Sequence, residues 1–362
     1  MEISHEARRK GRKSDLFLAK AQPFAEVLFV THDNPDPDGL ACGWALGELV
    51  REKLGKPYRL LARGAVLRAE NRHLLKLLSP PLELVDELKI DSNTLAVLID
   101  CRPEAFNHLP LVGANMAVID HHKAQQRLPP AVVYADLRPK VAASASIAAC
   151  YLHEQNLIPT PQLATALVYA IRTEAGGGSV HFSPLDQRMF NWASRYAQAD
   201  FLAEIEEAPL PRVYFNDLAQ ALQNTEIIHK LAICMLPTVT APETVGEVAD
   251  LLIRCEGIEA VLCWGKHETR IMLSSRTRRG SRRDATDLVS RVVQGLGHSG
   301  GHEYRAGGMI PLPQARENEA RLAPLIRHRW LMACNVNDEN ATALVGSRPL
   351  PALAYFDSGL QA

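Results

Sequence analysis

VLFVTHDNPDPDGLACGWALGELVREKL, residues 27–54, decides how this chain folds. The stretch opens with VLFVTH (27–32), a short run apolar on both faces, as expected of a strand buried inside a parallel sheet. A polar turn follows, stiffened by Pro35 and Pro37. From Gly39 the apolar residues return at helical spacing, which predicts a helix over 39–54. Strand, polar turn and helix together make the first step of an α/β unit.

The same alternation continues outward. YRLLAR (58–63), LAVLID (95–100), MAVIDH (116–121) and VVYAD (132–136) read as further strands. Helical periods fall at 66–78, 143–155, 160–173 and 184–198. These elements predict an α/β fold with a doubly wound, mainly parallel sheet in a domain covering residues 20–204. EIEEAPLPRV (204–213) breaks the pattern with acid and proline and begins a linker at 205–226, part of it helical. A smaller α/β domain at 227–332, across a cleft from the first, reads strand (228–236), helix (242–254), strand (258–265), strand (270–275), helix (284–296) and a glycine-rich turn (297–308). One more strand and helix follow it. Residues 333–362 show no clear period and read as a tail.

Composition narrows the function classes. Apolar residues at 47% and charged residues at 22% describe a globular chain. A net charge of −1 does not suit a protein that coats DNA or a membrane, so any nucleic-acid contact must come from a local patch. The basic start, MEISHEARRKGRK, lacks the apolar stretch of a signal peptide, and no apolar run reaches the length of a membrane span. The seven cysteines are scattered and form no CxxC pair, which predicts buried reduced thiols and a cytoplasmic location.

Titratable residues gather where the predicted strands end, and ligands of open α/β sheets bind at that edge. His32, Asp36 and Asp38 sit in the proline-stiffened turn, an arrangement that suits a hard divalent ion. A plain proline-rich turn with Asp38 as helix cap is equally consistent with these residues alone. Asp100 closes LAVLID and, taken singly, reads as a cap or loop acid. Asp120, His121 and His122 close MAVIDH. In a strictly extended segment the two histidines point to opposite sides, so both serve one site only if the chain turns there. Glu174 ends a helical stretch before Gly176, Gly177 and Gly178, where a carboxylate opposes the helix dipole. Together these ends supply imidazoles and carboxylates but no thiolate, a donor set that favours Mn²⁺ over structural zinc. So many acids in one crevice repel one another without cations. A pair of divalent ions about 3.5–4 Å apart is the common solution for attack on phosphorus.

His-x-x-x-Asp-x-Asp at 32–38, Asp100 after its strand, and Asp120-His121-His122 resemble the DHH phosphoesterase superfamily. Its members include RecJ-type exonucleases, oligoribonucleases, pAp phosphatases, cyclic dinucleotide phosphodiesterases and family II pyrophosphatases. Ser275-Arg276-Thr277 and the segment Gly300-Gly301-His302 through Gly307-Gly308 resemble the DHHA1 substrate-binding domain. The likeness covers roughly residues 25–325. It implies His32, Asp36 and Asp100 as ligands of one metal, and Asp38, Asp100, His121 and Glu174 as ligands of the other, with Asp100 bridging. It further implies His122 as a phosphate contact, Asp120 as a residue orienting a ligand histidine, and a hydroxide held between two ions (Mn²⁺, or Mg²⁺) as the attacking group. The chain departs from the pattern at Glu174, where the family carries Asp, and at Ser299, where it carries the first glycine of a GGGH segment.

Arg276, Arg278, Arg279, Arg282 and Arg283 form a dense basic stretch beside that segment. Guanidinium forks and glycine-exposed N–H groups both capture phosphate, which selects Arg276, Gly300, Gly301 and His302 as substrate-binding candidates. Some of the other arginines read as a solvated loop. His181, His298 and Tyr304 are lesser candidates, and Ser144 and Ser146 read as helix caps. With four tryptophans and eight tyrosines, no stacking platform for long single strands is evident, which favours short substrates. The resulting expectation is a metal-dependent phosphoesterase acting on short oligonucleotides or small nucleotide phosphates, away from membranes and compatible with a homodimer. Its alternatives are a linear or cyclic dinucleotide phosphodiesterase and a non-catalytic nucleotide-binding regulator.

Overall fold

The structure, a computed structural model, describes residues 11–105, 107–122, 127–175, 182–301, 303–312, 319–337 and 340–346. The chain divides into two compact units, with the break between Pro209 and Leu210, inside the predicted linker.

In the first unit α1 (Lys13–Ala21) precedes β1 (Glu26–Thr31), α2 (Pro37–Leu54), β2 (Tyr58–Ala62), α3 (Ala69–Leu78), β3 (Leu82–Leu84), β4 (Thr94–Ile99), β5 (Asn115–Asp120) and β6 (Val132–Leu137). Then come α4 (Ser144–Glu154), α5 (Pro161–Glu174), α6 (Pro184–Ala193) and α7 (Ala199–Glu206). The six strands run parallel in the order β3-β2-β1-β4-β5-β6, that of a doubly wound sheet. The chain reverses direction across the sheet between β1 and β4, and that is where the two richest acidic turns emerge.

Side-chain alternation builds two cores. Val27 and Phe29 of β1, Leu95, Val97 and Ile99 of β4, and Ala117 and Ile119 of β5 pack with α2, α4 and α5. Leu28, Val30, Ala96, Leu98, Met116 and Val118 face the other way. There they meet Leu88, Ile90, Leu109, Leu111 and Leu128, all from connecting segments rather than helices. The strand order is thus doubly wound, while the described helices of this unit share one face. The connection after β4 contains only a 3₁₀ turn at Pro103–Ala105.

Local chemistry fixes α2 where the site begins. Pro37 occupies its first turn, and Asp36 caps it, Oδ1 accepting from the N–H of Asp38 at 2.9 Å and of Gly39 at 3.1 Å. Gly55, at φ 63°, ends it in the left-handed conformation. The expected helix at 184–198 breaks after Ala193, and Glu204 and Glu206 finish α7 rather than open a linker.

The second unit holds α8 (Arg212–Gln223), β7 (Thr225–Ile228), β8 (Leu231–Leu236), α9 (Glu243–Leu252), β9 (Ala260–His267), β10 (Arg270–Thr277), α10 (Ala285–Val293), β11 (His298–Gly301), β12 (Arg305–Pro311), α11 (Glu319–Ala333) and β13 (Thr342–Ala343). Its mixed sheet has the order β11-β12-β10-β9-β8-β7-β13. One face packs α10 and α11, the other α8 and α9. Three expectations need correction here. The strand 228–236 is a hairpin folded about His229 at φ 53°. The glycine-rich turn 297–308 is also a hairpin, of β11 against β12. A Cβ on Gly297 would lie 1.9 Å from the Met309 carbonyl oxygen, so glycine permits a close strand approach that resembles a loop in sequence. Residues 333–346 are not all tail: Cys334 is buried in the core and β13 extends the sheet edge.

All seven cysteines are free thiols and five are buried. Among the described residues no helix is long and apolar enough to cross a membrane.

Candidate metal centre

The turn after β1 is tied down before it offers a ligand. Asp33 is clamped by the Arg63 guanidinium, its N–H donates to the Asn107 carbonyl at 2.6 Å, and Asn34 accepts from the Ala65 N–H at 3.0 Å. This removes Asp33 from the metal-facing set and leaves its neighbours aimed inward. His32 Nδ1 bonds the Asp33 carbonyl at 2.9 Å. Its Nε2 lies 3.6 Å from Asp36 Oδ1 and 3.7 Å from Asp100 Oδ2.

Asp100 stands at φ 56°, in the left-handed region that Asp tolerates better than most residues. That turn swings its carboxylate over the strand ends. Its other oxygen, Oδ1, faces a second group: His121 Nε2 at 3.3 Å, His122 Nδ1 at 3.6 Å and the Ser144 hydroxyl, which donates at 3.0 Å. One carboxylate therefore presents one oxygen to each of two donor clusters. Within each of the triplets His32/Asp36/Asp100 and Asp100/His121/His122, one donor atom per residue lies within 4.8 Å of the others.

Asp38 joins the second cluster, its Oδ2 lying 3.7 Å from His121 Nε2. It is fully buried, and its two oxygens accept from the N–H groups of Ser144 at 2.8 Å and Ala145 at 2.7 Å. Asp38 thus caps α4, whose own N-cap, Ala143, has no side chain to do so. Ser144 and Ser146, expected as caps, do otherwise: Ser144 supports Asp100, and the buried Ser146 hydroxyl has no partner among the described residues. Glu174, the last residue of α5, lies close enough to raise the pKa of both Asp38 and His121.

The adjacent histidines serve one site because the strand stops at Asp120. Their rings lie 4.5 Å apart. His121 Nδ1 meets the Val141 carbonyl at 3.2 Å, while Asp120 Oδ1 takes His122 Nδ1 at 2.7 Å and the His122 N–H at 3.1 Å. Asp120 accordingly orients His122, the phosphate candidate, and a backbone carbonyl orients the ligand candidate His121. At 34% side-chain exposure, His122 is more open than His32 at 17% or His121 at 5%. That suits a substrate contact.

The carboxylates set the charge state of the site. Burial works against charging His32, but Asp36 and Asp100 outweigh it and hold the imidazole at about 10. His121 is likewise raised against its burial by Asp100, Asp38 and Glu174. Asp38 is driven up by burial and then by repulsion from Asp100. Asp120 is lowered, its burial outweighed by His122. This concentration of carboxylates favours positive charge, and the mixed imidazole–carboxylate set fits divalent ions. His32, Asp36 and Asp100 can hold one. Asp38, Asp100 and His121, with Glu174 nearby, can hold another.

A pH signature follows. Because His32 titrates higher in the folded chain than its ordinary 6.5, its charged form stabilises the fold fully below pH 6.5 and ceases to by about pH 10. Chelator-treated protein is expected to melt progressively lower across that window. Added Mn²⁺ should flatten the slope, since the ion replaces the proton. Melting of chelated protein that ignores pH would refute this electrostatic picture.

In the second unit Arg276 is buried, with Nε donating to Asp250 Oδ1 at 2.6 Å and Nη1 to the Ser274 hydroxyl at 2.7 Å. Register sets Arg276 beside Arg305, and Gly301 beside Ala306, at the same end of the sheet. Gly300 and Gly301 belong to the exposed edge strand β11. The Arg279 guanidinium lies 4.8 Å over the Tyr304 ring. His298 is exposed on β11. Arg278 bonds carbonyls of Ile253 and Cys255, and Arg283 pairs with Glu259, so these two, like Arg276 with Asp250, Ser274 and the Ser275 carbonyl, are engaged within the unit. His302 and His181 lie outside the described residues. Sequence reasoning missed Val141 and Asp250, which carry no motif of their own, and read Ser144 only as a cap.

Residues 26–171 match the model of the DHH family, N-terminal domain. An uncharacterised protein of Methanocaldococcus jannaschii is 29% identical over 307 residues, which are 84% of this chain and 62% of that protein. The chain thus spans about three-fifths of the length of that relative. Among solved structures, an exopolyphosphatase-related protein from Bacteroides fragilis superposes with a TM-score of 0.68 at 11% identity, over 92% of this chain and 99% of that one. RecJ from Thermus thermophilus, in complex with Mn²⁺, gives 0.53 at 14% identity, over 90% of this chain and 55% of its own. These likenesses establish a shared fold.

Proposed function

We propose that this chain, whose residues 26–171 match the model of the DHH family, N-terminal domain, is a metal-dependent phosphoesterase that hydrolyses short oligonucleotides or small nucleotide phosphates. The observation that carries the reading is Asp100, one oxygen turned to His32 and the other to His121. With its oxygens turned apart, Asp100 could contribute to holding a cation beside His32 and Asp36 and another beside Asp38 and His121. Two divalent ions held there would supply charge neutralisation on the phosphate and a more acidic water. Mn²⁺ is the favoured ion on the donor chemistry, with Mg²⁺ as the alternative.

The chain's own residues divide the remaining tasks. His122, steadied by Asp120, is placed to hold a phosphate oxygen and steady the leaving group. Arg276, Gly300 and Gly301 are the proposed anchors for a further phosphate. Arg276→Ala is expected to raise KM about 10–100-fold, the worth of one charge-assisted hydrogen bond. Mn²⁺ affinity should be unchanged, since Arg305 remains 3.2 Å from Asp250 and keeps it paired. Unaltered KM would remove Arg276 from substrate binding.

The deciding experiment strips the protein of metal, restores Mn²⁺ or Mg²⁺, and offers RNA oligomers of graded length, pAp, a cyclic dinucleotide, pyrophosphate and polyphosphate. Fast cleavage of the shortest oligomers or of pAp supports the proposal. Selective cleavage of the dinucleotides would narrow it to a dinucleotide phosphodiesterase. Tight nucleotide binding without turnover would replace it with the regulator.

A further inference from the structure

Asp186, on the first turn of α6, is a polar group that the metal centre does not use directly. It is fully buried. Its Oδ2 accepts from two main-chain N–H groups, Ser183 at 2.8 Å and Ala142 at 2.9 Å. The first bond completes the capping box of α6. The second is not needed by any helix. The Ala142 N–H belongs to the same peptide unit as the Val141 carbonyl, and that carbonyl meets His121 Nδ1 at 3.2 Å.

We infer that Asp186 is a positioning residue for the second metal site, acting on His121 through the single peptide unit Val141–Ala142. A histidine ligand is commonly oriented by a carboxylate that accepts its other N–H, which also raises the basicity of the ligating nitrogen. Here a peptide unit stands between carboxylate and imidazole. Negative charge on the N–H side polarises the peptide, so its carbonyl becomes a stronger acceptor for His121. The same two bonds fix the chain direction into Ser144 and Ala145, whose N–H groups hold Asp38. Asp186 thus sets two of the residues proposed for that ion, and neither touches it. His32 and Asp36 receive no such support, so the effect should be confined to one site. The inference rests on the two-metal reading above.

The structure supplies a clean substitution. Asp186 Oδ1 has no hydrogen-bond partner among the described residues. In Asp186→Asn the amide nitrogen can take that position while the carbonyl oxygen keeps both accepted bonds, so the negative charge is lost with the two main-chain contacts retained. Mn²⁺ binding would be titrated by electron paramagnetic resonance of the free ion, without substrate. The parent is expected to bind two ions. Asp186→Asn should melt near the parent temperature and weaken one of the two sites about 10–100-fold, the usual effect of an outer partner. Ser183→Ala is the control: it loosens the α6 cap and keeps the bond to Ala142, so it should lower the melting temperature and leave both affinities unchanged. Two parent-like affinities in Asp186→Asn would overturn the inference and leave the phosphoesterase reading standing. So would equal weakening in Ser183→Ala, which would show a folding effect. A parent that binds no divalent ion would refute the two-metal reading itself, and the inference with it.

Discussion

Asp100→Asn is expected to reduce phosphoesterase turnover by at least about 10³-fold, beyond the 10–100-fold typical of residues behind a ligand. The fold should survive. Asn tolerates the left-handed conformation that Asp100 adopts at φ 56°, whereas Ala there would add strain of about 1–2 kcal/mol. The side-chain oxygen of Asn can also keep the Ser144 bond. What disappears is one negative charge and one of two oxygens aimed at separate clusters. The metal-free variant loses the attraction of Asp100 for the charged His32 and His121 but is relieved of its repulsion on Asp38, so it should melt close to the parent near neutral pH. With Mn²⁺ present the parent should melt clearly higher, because it gains the larger binding contribution. Turnover close to the parent's would show that Asp100 does not bridge.

The residues that fix this site were legible to very different degrees. His32, Asp36, Asp38, Asp100 and Asp120 to His122 could be found because apolar strands end at them, and a strand end is a local property of the sequence. The support around them was not. Asp38 is held by Ser144 and Ala145, and Asp100 by Ser144, bonds formed between residues 106, 107 and 44 positions apart. Serine before an apolar run reads as a cap; only the closed fold shows that the cap arrives from the far side. Asp120 and His121 are neighbours, yet the partner of His121 is the carbonyl of Val141, and carbonyls leave no trace in composition. β3 escaped notice because LEL offers three residues and little burial. The β11–β12 hairpin escaped because its glycines are required by backbone approach, which outweighs their poor strand propensity.

Gly39→Ala should produce the other large effect, although residue 39 ligates nothing. A Cβ there would lie 2.1 Å from Thr31 Oγ1 and 3.1 Å from Thr31 Cβ, with Asp100 Cβ at 3.8 Å. Thr31 is fully buried, so the clash must be relieved by moving the start of α2 or the end of β1. Either movement shifts Asp36, Asp38 and His32 relative to Asp100, in a cluster where the His32–Asp36, His32–Asp100 and His121–Asp38 distances are 3.6, 3.7 and 3.7 Å. Overpacking of this kind costs about 1–3 kcal/mol, offset by up to about 1 kcal/mol from the better helix propensity of Ala. The stability loss should thus be modest and the functional loss large: about 10²-fold in kcat, as for a reacting group displaced by about 1 Å. Thr31→Ala should be mild alone, because the Thr31 hydroxyl has no partner among the described residues to forfeit. Combined with Gly39→Ala it removes the colliding oxygen, and the double variant should recover most of the activity. Recovery would show that residue 39 acts through space at the β1–α2 corner. A double variant as inactive as Gly39→Ala would mean that the glycine is needed for the backbone path itself.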